Sequence, residues 1–263
     1  MNHNFLISVL DTDSLTISKS NGGKFSEEEI DKLTSEINSI SDELVRWEFE
    51  FYIPKIIVIK AKNYILYDGK KIKTKGSSIR DQKKEPALKE MVDKFIECML
   101  QDNFTQDDLI NIYHNYIKEA LTVKDISRWA KKINISEKVL ACQGYEELTP
   151  EKLKQKGIRA NETSIWDAVK NEEGVQQGDK YYVYPAILES RLEIKEFKNG
   201  RRDEKQILTT GLKMTKYWTG DHNPDQLVKR VYDTVSIFET ILDMEQFVDY
   251  TLKKNKILLE GLK

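Results

Sequence analysis

The stretch that most constrains this chain is FLISVLDTDSLTISKS, residues 5–20. An apolar run, Phe5-Leu6-Ile7-Ser8-Val9-Leu10, reaches Asp11-Thr12-Asp13-Ser14 and leaves through Leu15-Thr16-Ile17. Entry and exit are rich in β-branched and apolar residues, so both read as strands, and the acidic residues fall at the bend. This predicts a hairpin carrying Asp11 and Asp13 near its tip. Residues i and i+2 of an extended chain point the same way, so the two carboxylates can share one spot. Such a pair is costly unless a cation or a proton sits between its members. Carboxylates also suit Mg²⁺, a hard ion that needs only one or two of them besides substrate phosphates. A D-x-D in a tight turn has a second reading, since Asp stabilises turns by bonding its own backbone. The four residues alone leave both readings open.

A chain of 263 residues can bury a core and hold one large or two small domains. Hydrophobic residues at 39% and charged residues at 33% place it among globular chains, on the polar side. No apolar run approaches the ~20 residues of a membrane span. The opening MNHNFLISVLDTDS lacks a basic n-region, so no signal peptide is expected. Cys98 and Cys142 are far apart without metal-type spacing and fit a reducing cytoplasm. His3, His114 and His222 form no H-x-x-x-H pair, which argues against a histidine zinc site.

The net charge of −2 hides an asymmetry. Residues 53–84 hold nine lysines and Arg80 against Asp68 and Asp81, a local net of +8, leaving −10 for the rest. A basic patch on an acidic chain is an electrostatic footprint for a phosphate partner, although a solvated lysine-rich hairpin has the same composition. The pattern predicts an alternating strand over WEFEFY, residues 47–52, and then a strand from Ile56 running on to Tyr67. Asp68-Gly69 follows, a strong signal for a two-residue hairpin turn. With that turn Tyr67 faces Lys70, Leu66 Lys71, Ile65 Ile72, Tyr64 Lys73, Asn63 Thr74 and Lys62 Lys75. One face then carries Lys60, Lys62, Tyr64, Lys71, Lys73 and Lys75, and the other Asn63, Ile65, Tyr67, Ile72 and Thr74. Like charges opposite one another destabilise a sheet, and a polyanion across that face would relieve them.

Asp11-Thr12-Asp13-Ser14 after a buried strand resembles motif C of the family B DNA polymerases, written Y-G-D-T-D-S, with Val9-Leu10 in place of Tyr-Gly. Ala61-Lys62-Asn63-Tyr64 stands where that family has K-K-R-Y, matching at Lys62 and Tyr64. Lys75-Gly76 with Arg80 stands where a K-G-[IL]-E-like step follows. The resemblance implies that Asp13, with Asp11 beside it, holds Mg²⁺ in a two-metal site. It also implies that Lys62 and Tyr64 contact primer-template DNA, and the lysine face extends the expected DNA-binding set to Lys60, Lys73 and Lys75, with Arg80 after the Lys75-Gly76 step. Motif A, with a further catalytic aspartate, and motif B, which binds the deoxynucleoside triphosphate, are not found, nor is the exonuclease D-x-E region. The resemblance therefore implies the C-terminal piece of a split DNA polymerase, working with an N-terminal fragment that carries motifs A and B.

The expected fold is α+β: a partial palm of antiparallel hairpins over residues 1–84, then a mainly helical, thumb-like domain over 85–263. Ser26 and Glu29 form a capping box opening a helix whose apolar positions are Ile30, Leu33, Ile37 and Ile40, with Leu44 beyond. Pro86 opens a second helix with Leu88, Met91, Val92, Phe95, Ile96 and Met99 on one stripe, and Thr105 caps a third that ends at Leu121. Gly178-Asp179 feeds a strand at Tyr181, resembling the thumb's G-D-x-V-x-Y step, and Asn199-Gly200 predicts another hairpin turn. Residues 226–247 read as one long amphipathic helix, and residues 251–263 as a helical tail. Some polymerases end in a hydrophobic peptide that binds a sliding clamp, and Ile257-Leu258-Leu259 stands in that position. The implied location is the cytoplasm, that of the host for a phage protein. Two other classes remain: a non-catalytic DNA-binding palm–thumb remnant and a metal-dependent nuclease.

Overall fold

The computed structural model describes residues 5–11, 13–77, 79, 85–196 and 202–247, with backbone only for 189–196 and 202–210. Arg80, Asn199-Gly200 and the tail from 248 onward, including the clamp-peptide position, lie outside the described residues. The architecture is α+β, with small antiparallel sheets and a helical core.

The acidic hairpin forms as its pattern demands. β1 (Phe5–Leu10) pairs antiparallel with β2 (Leu15–Lys19), Leu10 opposite Leu15, in a two-stranded sheet. α1 (Glu27–Ile40) opens with the expected capping box. The Glu29 N–H donates to Ser26 Oγ at 3.2 Å, and the Ser26 N–H donates to Glu29 Oε2 at 2.7 Å. Yet α1 buries none of its residues, and Ile40 and Leu44 are 85% and 95% exposed.

The second sheet has the order β3-β4-β5, from β3 (Lys55–Lys60), β4 (Asn63–Tyr67) and β5 (Ile72–Lys75). Three expectations are corrected here. Residues 47–52 form no strand, because no described strand lies alongside to take their backbone bonds. The strand expected to run from Ile56 to Tyr67 is broken at Ala61-Lys62, where Lys60 turns back to pair with Asn63. The β4–β5 register also differs by two: Tyr64 faces Lys75, Ile65 Thr74, Leu66 Lys73 and Tyr67 Ile72. The cause of that shift is Asp68. Its Oδ1 accepts from the N–H groups of Lys70 (2.8 Å) and Lys71 (2.7 Å), building a four-residue loop instead of a two-residue turn. Those bonds hold its carboxyl below the usual range, that from Lys71 most strongly.

α2 (Pro86–Met99) and α3 (Gln106–Leu121) match their predicted stripes, with Pro86 at the first turn and Thr105 as N-cap. The helix expected over 226–247 is shorter: α7 (Pro224–Val235) is followed by 3₁₀ turns at Ser236–Phe238 and Met244–Gln246. Between α3 and α7 lie β6 (Lys131–Asn134), α4 (Glu137–Leu140), α5 (Pro150–Gln155), α6 (Ala160–Val169), β7 (Lys180–Glu196) and β8 (Arg202–Thr215). The third sheet is β6-β7-β8.

The main core joins α2, α3 and α7 with Trp129, Tyr184 and Ala186, and takes residues from either side of position 84, including Ile59 and Ile65. Phe95 sits at its centre, with ring centroids 5.8 Å from Phe238 and 6.3 Å from Phe247. Glu85, 3% exposed, pairs with Arg230 and ties the start of α2 to α7. Thr240 Oγ1 donates to the Ile59 carbonyl, so the turn that follows the Ser236–Phe238 segment holds β3. The odd-numbered face of β4 is thereby fixed on the core. Its other face is left for the acidic hairpin.

Candidate functional site

The site is the meeting of two turns. In the first, the Asp11 N–H donates to the Ser14 carbonyl at 2.9 Å, closing the β1–β2 loop. This leaves the Asp11 side chain partly covered, 31% exposed, and Asp13 exposed. The second turn is Ala61-Lys62, between β3 and β4. Lys62 has φ 60°, a left-handed conformation that costs an ordinary residue about 1–2 kcal/mol. Strain of this kind persists only where its surroundings impose it. Here they do: Asn63 Nδ2 donates to the Ala61 carbonyl at 3.0 Å, and Gly76 closes against the turn from below. A Cβ on Gly76 would stand 2.6 Å from the Lys62 carbonyl oxygen and would overlap the Asn63 amide. Gly76 has φ 101°, so glycine is required there twice over.

The turns are held together by packing below them. Val9 of β1 lies in one buried cluster with Tyr64 and Leu66 of β4, flanked by Ile53, Ile56 and Val58. Val9 precedes Asp11 by two residues and Tyr64 follows Lys62 by two, so this contact brings the two tips together. The result is an ion pair, Lys62 Nζ to Asp11 Oδ1, at 3.7 Å.

The predicted residues separate accordingly. Asp11 and Lys62 are brought into contact, with Asp13 on the same turn as Asp11. Tyr64 is 9% exposed, its ring spent on the contact with the hairpin. Lys75 lies opposite Tyr64 and Lys73 opposite Leu66, so both share the face on which Val9 packs, and both are exposed. Lys60 is exposed at the end of β3, beside the Lys62 turn. Lys62 does not face Lys75, so the like-charge opposition expected between them is absent. Among the described residues Lys60 and Lys75 form no ion pair, while Lys73 helps to hold down the Asp68 carboxyl. Sequence reasoning missed the left-handed Lys62. Its only signal was Asn63, a turn-former, following Lys60-Ala61-Lys62 without a glycine.

As a metal site the donor set is two carboxylates, oxygen ligands of the kind Mg²⁺ takes when phosphates complete its shell. Among the described residues no three His, Cys, Asp or Glu side chains gather in one place. No described helix is long and apolar enough to cross a membrane. No protein-family model matches this chain, and no curated protein matches it.

Proposed function

We propose that the chain is the C-terminal palm and thumb portion of a DNA-directed DNA polymerase, acting in the cytoplasm with a second polypeptide that carries motifs A and B. The observation that carries the reading is the contact between Asp11 and Lys62: the two motifs that resemble the family, 50 residues apart in sequence, meet in space. In this reading Asp13 and Asp11 hold Mg²⁺ together with an aspartate from the partner. When bound, the metal stabilises charge developing on the transferred phosphoryl group. Lys62 lies where a primer phosphate would approach the carboxylates. Lys73 and Lys75 continue the cationic surface along the duplex, where each phosphate neutralised adds a salt-dependent increment of affinity. The reaction is attack of the primer 3′-hydroxyl on the α-phosphate of a deoxynucleoside triphosphate, with pyrophosphate leaving.

The Lys62–Asp11 pair also favours a second reading, because it satisfies the Asp11 charge without a metal. On that reading the chain is a palm–thumb remnant that binds duplex DNA and catalyses nothing. Primer extension by the chain alone, and by the chain co-purified with the polypeptide encoded upstream, tests both. Extension by the pair only is the expected result. An inactive pair overturns the polymerase reading, extension by the lone chain overturns the split, and cleavage of DNA by the lone chain points to a nuclease.

A further inference from the structure

Residues 47–52, WEFEFY, have the composition and alternation of a strand, with Trp47, Phe49 and Phe51 on alternate positions, yet they lie in none of the three sheets. Among the described residues, their backbone groups make no backbone hydrogen bond. What holds the segment is side chains at its ends. The Trp47 N–H donates to Asn38 Oδ1 (2.7 Å) and its carbonyl accepts from Asn38 Nδ2 (2.8 Å), so an asparagine of α1 imitates a neighbouring strand at one residue. At the other end Lys24 Nζ lies 5.0 Å from the Tyr52 ring centroid, and Ile53 packs on the Val9–Tyr64–Leu66 cluster. Between these anchors Phe49 and Phe51 are 54% and 51% exposed. Other large apolar side chains of the first 52 residues are exposed as well: Leu6, Ile7 and Leu10 on β1, Ile40 on α1, and Leu44 and Val45 after it.

We propose that residues 47–52 are one strand of an intermolecular sheet, completed by an edge strand of a different, basic polypeptide. An unpaired, strand-forming segment is a template for strand addition, with alternate side chains giving specificity. Charge selects the occupant. Residues 1–52 carry eleven Asp and Glu against four Lys and Arg, a net of −7. Two copies of this surface would repel each other, so the complement is an apolar strand rimmed with lysine and arginine. Its identification with the fragment carrying motifs A and B rests on the proposed function, whereas the unpaired strand does not. Because Ile53, next in the chain, packs on the Val9 cluster beneath the Asp11 hairpin, the contact would couple assembly to the site.

The test is amide hydrogen exchange on the full chain, alone and co-expressed with the polypeptide encoded upstream. Alone, the amides of residues 48–52 are expected to exchange freely while those of β4 are protected. In the complex the former should slow by about tenfold or more. Neighbouring N–H groups of a strand point to opposite edges, so Phe49→Pro and Glu50→Pro should differ, one weakening the complex at least about tenfold more than the other. Both residues are exposed, and retained β4 protection shows that each variant folds. Protection of 48–52 in the isolated monomer, absence of a complex, a homodimer through this segment, or a complex that leaves 48–52 unprotected each overturns the inference. A complex that extends primers with 48–52 unprotected sinks only this inference, and a protected complex that extends none sinks only the polymerase reading.

Discussion

Replacing Lys62 separates stability from function at this site. Its backbone stands at φ 60°, where glycine is at ease and an ordinary side chain costs about 1–2 kcal/mol. Lys62→Gly removes that cost but frees the unfolded chain, losing about 0.4–1 kcal/mol. The ion pair lost with the side chain links groups 70% and 31% exposed at 3.7 Å, and such a pair contributes a few tenths of a kcal/mol. The balance for Lys62→Gly is about 0 to +1 kcal/mol. Lys62→Ala keeps the strained conformation and loses the ion pair, so it should fall below the wild type by a few tenths. Glycine should therefore exceed alanine by about 1 kcal/mol, roughly 2–4 °C in Tm for a chain of this size. Both variants should lose the same phosphate contact, weakening DNA binding and lowering the slope of log affinity against log salt by about one. Thermal unfolding and salt-titrated DNA binding measure the two effects. An alanine variant as stable as the glycine variant would refute the left-handed turn. Unchanged DNA affinity in both would refute the role given to Lys62.

Three further outcomes follow from the same geometry. Gly76→Ala combines a positive φ with a contact 2.6 Å from the Lys62 carbonyl oxygen, so it should cost about 2–4 kcal/mol, read as a lower denaturant midpoint. Asp13→Asn alters an exposed turn residue and should leave stability within about 0.5 kcal/mol, yet nucleotide transfer by the assembled pair should drop by about a hundredfold or more. The Glu90 carboxyl is held down to about 2, from an ordinary 4.5, chiefly by its bond to Lys94, with Arg128 adding to it. Its stabilising contribution is complete above pH 4.5 and fades as the pH falls towards 2. With the side chain 41% exposed, solvent screening holds that contribution below ~1 kcal/mol. Glu90→Gln should thus destabilise slightly at pH 7 and flatten the stability curve between pH 5 and pH 2, in contrast to the wild type.

Three helices, α1, α2 and α3, were legible because each carried its own punctuation. Ser26 with Glu29, Pro86, and Thr105 with Asp108 mark their helix starts, and the stripe from Leu88 to Met99 needed no knowledge of its partner. The hairpin at Asp11 was legible for the same reason, since its strands pair with each other. What failed depended on side chains bonding backbone out of turn. Asp68 captured two N–H groups and moved a register by two, and Asn63 with Gly76 stabilised a turn at Lys62 that no glycine announces. A shift by two preserves which residues share a face, so Lys73 and Lys75 stayed with Tyr64. What removed Lys62 from that face was the turn at Ala61-Lys62, which brought it to Asp11 instead.

The strand expected over residues 47–52 failed for another reason, and the difference is instructive. Only the Asn38 amide, at Trp47, bonds the backbone there in place of a strand, and residues 48–52 meet no competitor of the kind that Asp68 is at its turn. The segment has the alternation of a strand and lacks only the neighbour. The same condition holds for α1, whose stripe is regular yet buries nothing. A helix of this kind draws most of its stability in proteins from packing its apolar face, and an isolated two-stranded hairpin is marginal in water. The chain from residue 85 to 247 meets most of its pattern internally, with Phe95, Tyr113, Trp129 and Tyr184 all at most 2% exposed. The first 52 residues bury only Val9 among those described. Their apolar pattern is thus written for a surface larger than the described residues provide, and the carboxylates of Asp11 and Asp13 project from the part that is incomplete.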